Sequence, residues 1–466
     1  MDSLPPPAAF LPTAPYDPHH DPLRDPHPGQ GRAYAPSYWV ATAGPPPADD
    51  GPLAGETDTD VAVIGSGFTG LACALFLARD HGITATVLEA NTVAWGCSTR
   101  NGGQGQNASG RLSRAQWIAR WGQETALALH AEILEGFELF TDLTRELDCE
   151  PQPGGHLYIA HRRRNLEKLR ADSDLANRIF GYGTRILPRE EVWRDFVHDV
   201  EAVGALHEPL GMGVQPAKLA FGYLRAARGA GARIHPGSPV LEIREEAECF
   251  LLRTPGGLLR ARAVAIATGG YTGQKLHPRL RSRIMPILSN NMVTRPLTDS
   301  EIAATGFRTR QVITDTRTLR YYYRLLPDNR LQIGSRAAIT GADAANPAHR
   351  AVLDDGLARK FPTLAGIAAD HSWWGWVDVS HDMMPRIVQP EAGRNLFYAM
   401  GYGGNGVSYS AQAGRRLAGL AAGRPLPQRL PIFQGELPRH PFAPFRRLGQ
   451  RALYRLYHRR DEAPDA

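Results

Sequence analysis

Lysine is nearly missing from this chain. Among 466 residues and 53 basic side chains only Lys168, Lys218, Lys275 and Lys360 are lysines, so any chemistry that needs one has four positions to choose from. Cysteine is equally scarce. Cys73, Cys97, Cys149 and Cys249 make no C-x-x-C and no paired spacing, which excludes a disulfide scaffold and a structural zinc site and fits a reducing compartment. No apolar run approaches the ~20 residues needed to cross a bilayer, so no integral membrane association is expected. A net charge of +6 over so long a chain, with no nucleic-acid-binding motif, gives no reason to expect nucleic acid as a partner. The first residues, Met1-Asp2-Ser3-Leu4-Pro5, lack the basic-then-apolar order of a secretory signal, and a cytoplasmic location is expected.

What is present reads as a globular protein of two to three domains, 42% hydrophobic and 21% charged. Prolines crowd residues 1–57, including Pro5-Pro6-Pro7 and Pro45-Pro46-Pro47. Such a segment cannot keep donating backbone hydrogen bonds, so disorder is expected over the first thirty or so residues. From Ser37-Tyr38-Trp39 the aromatics suggest an arm packed on the body. A short apolar strand over 60–65, a helix over 68–81 and a strand over 84–89 make a βαβ unit. A helix is expected over 113–147, open to breaks at Gly122 and Gly136, and another from Pro216. Strands at hairpin-like spacing follow over 240–245, 249–253 and 258–268. A second, antiparallel sheet is expected from 284–296, 320–326 and 331–334, with a helix over 348–360 among them. A late strand, 396–400, and a late helix, 406–421, complete the pattern.

Gly65-Ser66-Gly67-Phe68-Thr69-Gly70 is G-x-G-x-x-G at the junction of the first strand and helix. Gly65 permits the tight turn, Gly67 lets the backbone approach a pyrophosphate, and Gly70 lets helix and sheet close up. Phosphates would sit at the helix N-terminus, where free N–H groups and the dipole favour an anion. Glu89 ends the second strand where an acid can accept both ribose hydroxyls. Strand, glycines, helix, strand and acid in this order indicate a dinucleotide site. Three further elements argue against a plain NAD enzyme: Trp95-Gly96-Cys97-Ser98-Thr99-Arg100-Asn101-Gly102-Gly103-Gln104, Thr268-Gly269-Gly270-Tyr271-Thr272 after an apolar strand, and Gly401-Tyr402-Gly403-Gly404-Asn405-Gly406 before the last long helix. So much glycine suits backbone lying against a large planar ligand.

With these elements the chain resembles the D-amino-acid-oxidase-like (DAO) superfamily of FAD-dependent amine and amino-acid oxidoreductases, and within it the bacterial gamma-glutamylputrescine oxidoreductases. The resemblance runs from Ser37-Tyr38-Trp39 through V-I-G-S-G-F-T-G and W-G-C-S-T-R-N-G-G-Q to Leu437-Pro438-Arg439-His440-Pro441-Phe442. Together with the order of elements it implies an α/β fold, a Rossmann-like FAD-binding domain with a parallel sheet, interrupted by an α+β substrate domain built on an antiparallel sheet. The FAD-binding domain would take 58–150, 215–280 and 375–430, and the substrate domain 151–214 and 281–374. The Pro-rich extension and arm would be 1–57, and a basic C-terminal tail 431–466.

The resemblance also implies residue roles. Gly65, Ser66, Gly67, Phe68, Thr69 and Gly70 would cradle the pyrophosphate, and Glu89 with Ala90 would hold the adenosine ribose. Val240 would meet the adenine. Arg100, Asn101, Gly102, Gly103 and Gln104 would line the isoalloxazine, Thr268 and Gly269 would belong to the same site, and Gly403, Gly404, Asn405, Gly406 and Val407 would contact the flavin's pyrimidine edge. A helix starting near Gly406 aims its positive end at the side of the flavin that gains negative charge on reduction. Cys97 stands where relatives carry a small residue; a buried thiol and non-covalent FAD are expected rather than a thioether. Arg295 stands where relatives often carry an acid.

The expected reaction is oxidation of a C–N bond in a small, γ-glutamyl-amine-like substrate to an imine that hydrolyses to aldehyde and amine, with oxygen or another acceptor reoxidising the flavin. Candidate catalytic residues are Lys275, to assist oxygen, Tyr322 as a pocket wall, and Arg295 and Arg324 to grip a carboxylate. Lys168 and Lys360 fall in exposed helical patterns, and Lys218 opens a helix, which leaves Lys275 for the oxygen role. Tyr321-Tyr322-Tyr323, Trp373-Trp374 and Trp376 could sandwich an alkyl ammonium chain, although at most half of a strand's residues face one side. His381-Asp382 reads as solvated surface, and no metal site is expected. The alternatives are an amino-acid or N-methyl-amino-acid oxidoreductase, a non-catalytic flavin-binding protein, and a NAD dehydrogenase. The C-terminal stretch 445–460 has Leu448, Ala452 and Leu456 among arginines, and docking on the protein's own body is expected over an anionic membrane surface.

Overall fold

The computed structural model describes residues 8–426 and 429–465. Pro5-Pro6-Pro7 lies outside the described residues. Val61, Ala62, Val63 and Ile64 are all buried, as a parallel strand covered on both faces requires. Their strand, Gly55–Ile64, pairs in parallel with Gly257–Ile266 on one side and Ala85–Leu88 on the other. Arg233–His235 continues the sheet beyond Ala85–Leu88, and the antiparallel strands Phe250–Arg253 and Glu242–Glu245 extend its other edge. Leu396–Met400 also joins Gly257–Ile266 in parallel, returning the chain to this sheet about 130 residues later.

One face of the sheet carries the helices Phe68–His81, Pro216–Gly229 and Gly406–Ala421 over a core that includes Leu71, Leu75, Tyr223 and Leu417. Gly414 lets two of them touch: a Cβ there would stand 2.7 Å from the Cβ of Ala72. The helix Arg114–Glu146 breaks at Gly122, whose φ is 80°, while Gly136 stays helical beneath Tyr409 and Gln412.

The second sheet is mostly antiparallel, in the order Ala369–Ser380, Ile284–Pro296, Arg330–Ser335, Tyr322–Leu325, Val312–Asp315, His156–Ala160, Gly204–Glu208, Arg185–Pro188. The helix Pro347–Lys360 packs on its far face through Leu353 and Leu357. The α/β class with one largely parallel and one largely antiparallel sheet therefore holds. Ala369–Ser380 runs whole through the second sheet, past the expected boundary at 375.

Three expectations fail. From Ala8 the head is ordered against the body: Ala14 bridges Arg32, and the indole N–H groups of Trp374 and Trp376 donate to the carbonyls of Pro18 (3.2 Å) and His20 (2.9 Å). Proline cannot donate to a sheet, but its neighbours' carbonyls still accept. Lys360 is not exposed; it is fully buried between Asp199, Glu201 and Asp315, whose charges offset its desolvation. Asp382 is no free solvated group, for Arg386 pairs with it. The C-terminal helix Arg446–Glu462 docks on the body, with Arg447 on Asp21 and Glu462 on Arg317. No helix among the described residues is long and apolar enough to cross a membrane.

Candidate active site

Strand, turn and helix converge on one cavity of about 300 Å³. Gly65, Gly67, Phe68 and Thr69 line it from the first turn, Glu89 and Ala90 from just beyond Ala85–Leu88, Val240 from just before Glu242–Glu245, Thr268 and Gly269 from just beyond Gly257–Ile266, and Gly404, Gly406 and Val407 from the start of the helix Gly406–Ala421 and the turn before it. Asn101 and Lys275 line it as well. The turn leaves no room for side chains. A Cβ on Gly70 would lie 1.8 Å from the Gly65 carbonyl oxygen, and one on Gly65, whose φ is +100°, would lie 2.9 Å from the carbonyl oxygen of Ala267. Two helix N-termini, at Phe68 and Gly406, open on the same space, and each carries partial positive charge.

Glu89 is held ready at the end of its strand. Its Oε2 accepts from the Ser66 N–H (3.0 Å) and hydroxyl (2.7 Å), and its Oε1 from the Asn91 N–H (3.1 Å). Burial raises its carboxyl above the ordinary range, against those donors. Ser66 thus acts behind the wall, and Gly70 does too. Glycines without room for a Cβ, two helix N-termini and a poised acid fit FAD.

The remaining expected residues divide. Gly102 meets the ring of Tyr322, 2.6 Å from where its Cβ would be, and the Tyr322 hydroxyl is held by Ser289 (2.8 Å) and Asn291 (3.1 Å). Gly103 and Gln104 are tied into a small three-stranded sheet instead: Val214 N–H donates to the Gly103 carbonyl, and Gln104 pairs with Gly213. Gly403 and Asn405 shape the last loop, Gly403 N–H donating to the Asp378 carbonyl (2.8 Å) and the Asn405 amide to Gly110. Arg100 does not line the cavity: its guanidinium lies over Trp95 (4.2 Å), Tyr16 and Tyr271, and its carbonyl accepts from Trp373 Nε1 (2.9 Å).

Two expected catalytic positions need correction, and a third lies at the cavity. Arg295 sits at the surface, its fork taken by Glu301 at 2.6 and 2.8 Å, because Glu301 caps the helix Asp299–Thr305. Arg324 is buried behind the small sheet, bonded to the Val214 carbonyl (2.6 Å) and to Gln152, and does not line the cavity. Lys275 does line the cavity. Its neighbour Leu276 packs on the core cluster containing Val240, and Gly273 abuts Pro26, close to Pro28, whose carbonyl accepts from Asn91. Of the tyrosine triplet, Tyr322 packs against Gly102 without lining the cavity, and Tyr321 and Tyr323 point to the opposite face of the strand, bonded to the Val352 carbonyl and to Asp199. Trp376 lines the cavity, whereas Trp373 and Trp374 do not.

Two cavity residues carry perturbed acids. Burial pushes the Cys97 thiol up to about 12, with Asp378 adding to the rise. Asp378 was not read from the sequence. Burial pushes its carboxyl up to about 6, while the Gly401 N–H (2.6 Å) supports the ionised form. The only signal was an acid inside an aromatic, apolar strand. Arg111 and Arg336, beside Gly404, were also missed.

The family described as DAO, FAD dependent oxidoreductase, matches residues 60–420. The chain belongs to this family. It is therefore an FAD-dependent oxidoreductase. It is 31% identical over 389 residues to the gamma-glutamylputrescine oxidoreductase of Escherichia coli (strain K12), covering 82% of this chain and 87% of that protein. Among solved structures it resembles glycine oxidase from Geobacillus kaustophilus (TM-score 0.68, 22% identity, 82% of this chain and 99% of that one). It also resembles L-amino acid deaminase from Proteus myxofaciens (TM-score 0.66, 16% identity, 83% and 95%). These two show the fold: the DAO-type pairing of a nucleotide-binding sheet with a second sheet.

Proposed function

We propose that this DAO-family enzyme oxidises a C–N bond of a small amine, with γ-glutamyl amines as the first substrates to test. The observation that carries this is the 31% identity, over most of both chains, to a protein named for such a substrate. Bound FAD would take up the hydride lost by the carbon beside the nitrogen. The chain supplies the setting. Gly65, Gly67 and the N-terminus at Phe68 would hold the pyrophosphate, Glu89 the ribose, and Val240 the adenine side. The N-terminus at Gly406 would offer positive charge next to Gly404, where reduction adds negative charge. Tyr322, fixed by two hydrogen bonds against Gly102, and Trp376 would position the substrate and keep water out, the main task when the reacting amine is neutral. The imine product would hydrolyse to aldehyde and amine, and oxygen or another acceptor would complete the cycle. FAD would be non-covalent, since a thiol as protonated as that of Cys97 is a poor nucleophile.

An amino-acid or N-methyl-amino-acid substrate is the second reading, favoured by the guanidiniums of Arg111 and Arg336 beside Gly404. Anaerobic mixing of the holoenzyme with γ-glutamylputrescine, sarcosine and glycine separates the two by which amine bleaches the flavin fastest. Bleaching by none would remove both.

A further inference from the structure

Beside Gly404 the site carries positive charge that the protein does not neutralise. The nearest guanidinium nitrogens of Arg336 and Arg111 stand 3.4 and 3.8 Å from the point where a Gly404 side chain would begin. Arg111 donates one hydrogen bond, to the Gly403 carbonyl at 3.1 Å. Among the described residues, the Arg336 and Arg320 side chains make no hydrogen bond, and none of the three arginines has an ion-pair partner. The titratable groups that act on the Arg111 and Arg336 guanidiniums are each other, Arg320 and the phenols of Tyr158, Tyr322 and Tyr454, with no carboxylate among them. Arg320 lies over the Tyr158 ring at 5.5 Å with its Nε buried and unpartnered, and the Tyr454 hydroxyl is buried and unpartnered as well.

An arginine cluster paired with acids looks different. Arg317, 2% exposed, is ringed by Asp315, Glu201 and Glu462. The open cluster works against stability: the Arg336 charge, then burial, holds the Arg111 guanidinium well below its ordinary value. Four separate segments bring the cluster together. Arg111 precedes the helix Arg114–Glu146, Arg320 precedes the strand Tyr322–Leu325, Arg336 follows Arg330–Ser335, and Tyr454 comes from the C-terminal helix. That helix is fastened at both ends, by Arg447 to Asp21 (3.0 Å) and by Asp461 to the Leu319 N–H (3.0 Å), with Tyr454 between.

We propose that Arg111, Arg320, Arg336 and Tyr454 form a receptor for a dianionic end of the substrate, two carboxylates or one phosphate, so that the amine oxidised here carries an acidic tail. The proposal rests on the C–N reading above and moves its substrate away from γ-glutamyl amines. A glutamyl head brings one carboxylate and one ammonium, summing to zero against three guanidiniums. A dianion offsets most of that charge, and planar forks suit the paired oxygens of carboxylate or phosphate.

The test uses the FAD-loaded enzyme. Glutarate, inorganic phosphate and acetate are each titrated while the flavin spectrum is followed. N-ethylglutamate, N-ethylglycine and γ-glutamylputrescine are then compared as anaerobic reductants. Glutarate or phosphate should bind at least tenfold more tightly than acetate, and whichever does names the source of the charge. N-ethylglutamate should be the best reductant if it is glutarate. Arg336→Met should weaken dianion binding at least tenfold without lowering the melting temperature, because it removes repulsion and no protein hydrogen bond or ion pair. Arg336→Lys, which keeps the charge, should recover part of the affinity. Equal binding of all three anions overturns the proposal, as does an Arg336→Met protein that melts lower yet binds glutarate normally. Reduction by N-ethylglycine alone, with no dianion effect, overturns it while leaving the C–N reading intact. Dianion binding with no reduction by any amine overturns the C–N reading and leaves the anion site standing.

Discussion

Gly70 lies directly under Gly65: a methyl group on residue 70 would stand 1.8 Å from the Gly65 carbonyl oxygen. Neither atom can move without pulling the helix Phe68–His81 off its sheet. Gly70→Ala should therefore cost about 1–3 kcal/mol, the range for overpacking a core. Bound flavin should fall with it. Absorbance at the flavin maximum per polypeptide and a denaturation curve measure both effects.

Asp378 gives a pH signature. Its folded value, about 6, is raised above the ordinary carboxyl value of 3.8, so the folded state binds the proton more tightly than the unfolded state does. Stability from this group is full below about pH 4 and is lost as pH rises through 6. The total is on the order of 2–3 kcal/mol, at 1.36 kcal/mol per pK unit. Asp378→Asn, which cannot ionise, should gain on the wild type by that order between pH 4 and pH 7 when apo-proteins are compared by urea denaturation. A stability difference flat across that window would contradict the assignment.

With its thiol pushed up to about 12, Cys97 should stay protonated at neutral pH. Acid precipitation should leave a yellow supernatant and a colourless pellet, and Cys97→Ala should keep full flavin content. Colour retained in the pellet would show a covalent bond.

Lys275 lines the cavity, where a cation can offset the negative charge of the nucleotide as well as assist oxygen. Lys275→Met should raise the Kd for FAD severalfold and change the rate of flavin reoxidation by oxygen less than twofold. Slowed reoxidation with unchanged FAD affinity would assign it the oxygen role.

Local patterns explain what the sequence made legible. The unit from Val61 to Glu89 is written in consecutive residues: an apolar strand end, glycines where a Cβ would collide, a helix and an acid. The second sheet was legible only in its hairpin-like part. Val312–Asp315 pairs with His156–Ala160 across some 150 residues, and nothing local announces such a partner. The site followed the same rule. Backbone-defined positions such as Gly65, Gly404 and Val407 came through, whereas side-chain directions did not. Arg100 turned onto an aromatic cage, Arg295 was taken by Glu301, and Arg324 was used to brace Val214. In a chain so rich in arginine, nothing local marks Arg111, Arg320 and Arg336, which come together from separate segments only in the folded chain.

If this fold holds FAD and passes hydride to it from a C–N bond, the visible spectrum of the purified holoenzyme, recorded anaerobically before and after addition of amines, shows it. A flavin spectrum should bleach with a subset of amines and return on admitting an acceptor. A colourless protein from cells with ample flavin, or a flavin that no amine bleaches, would contradict it.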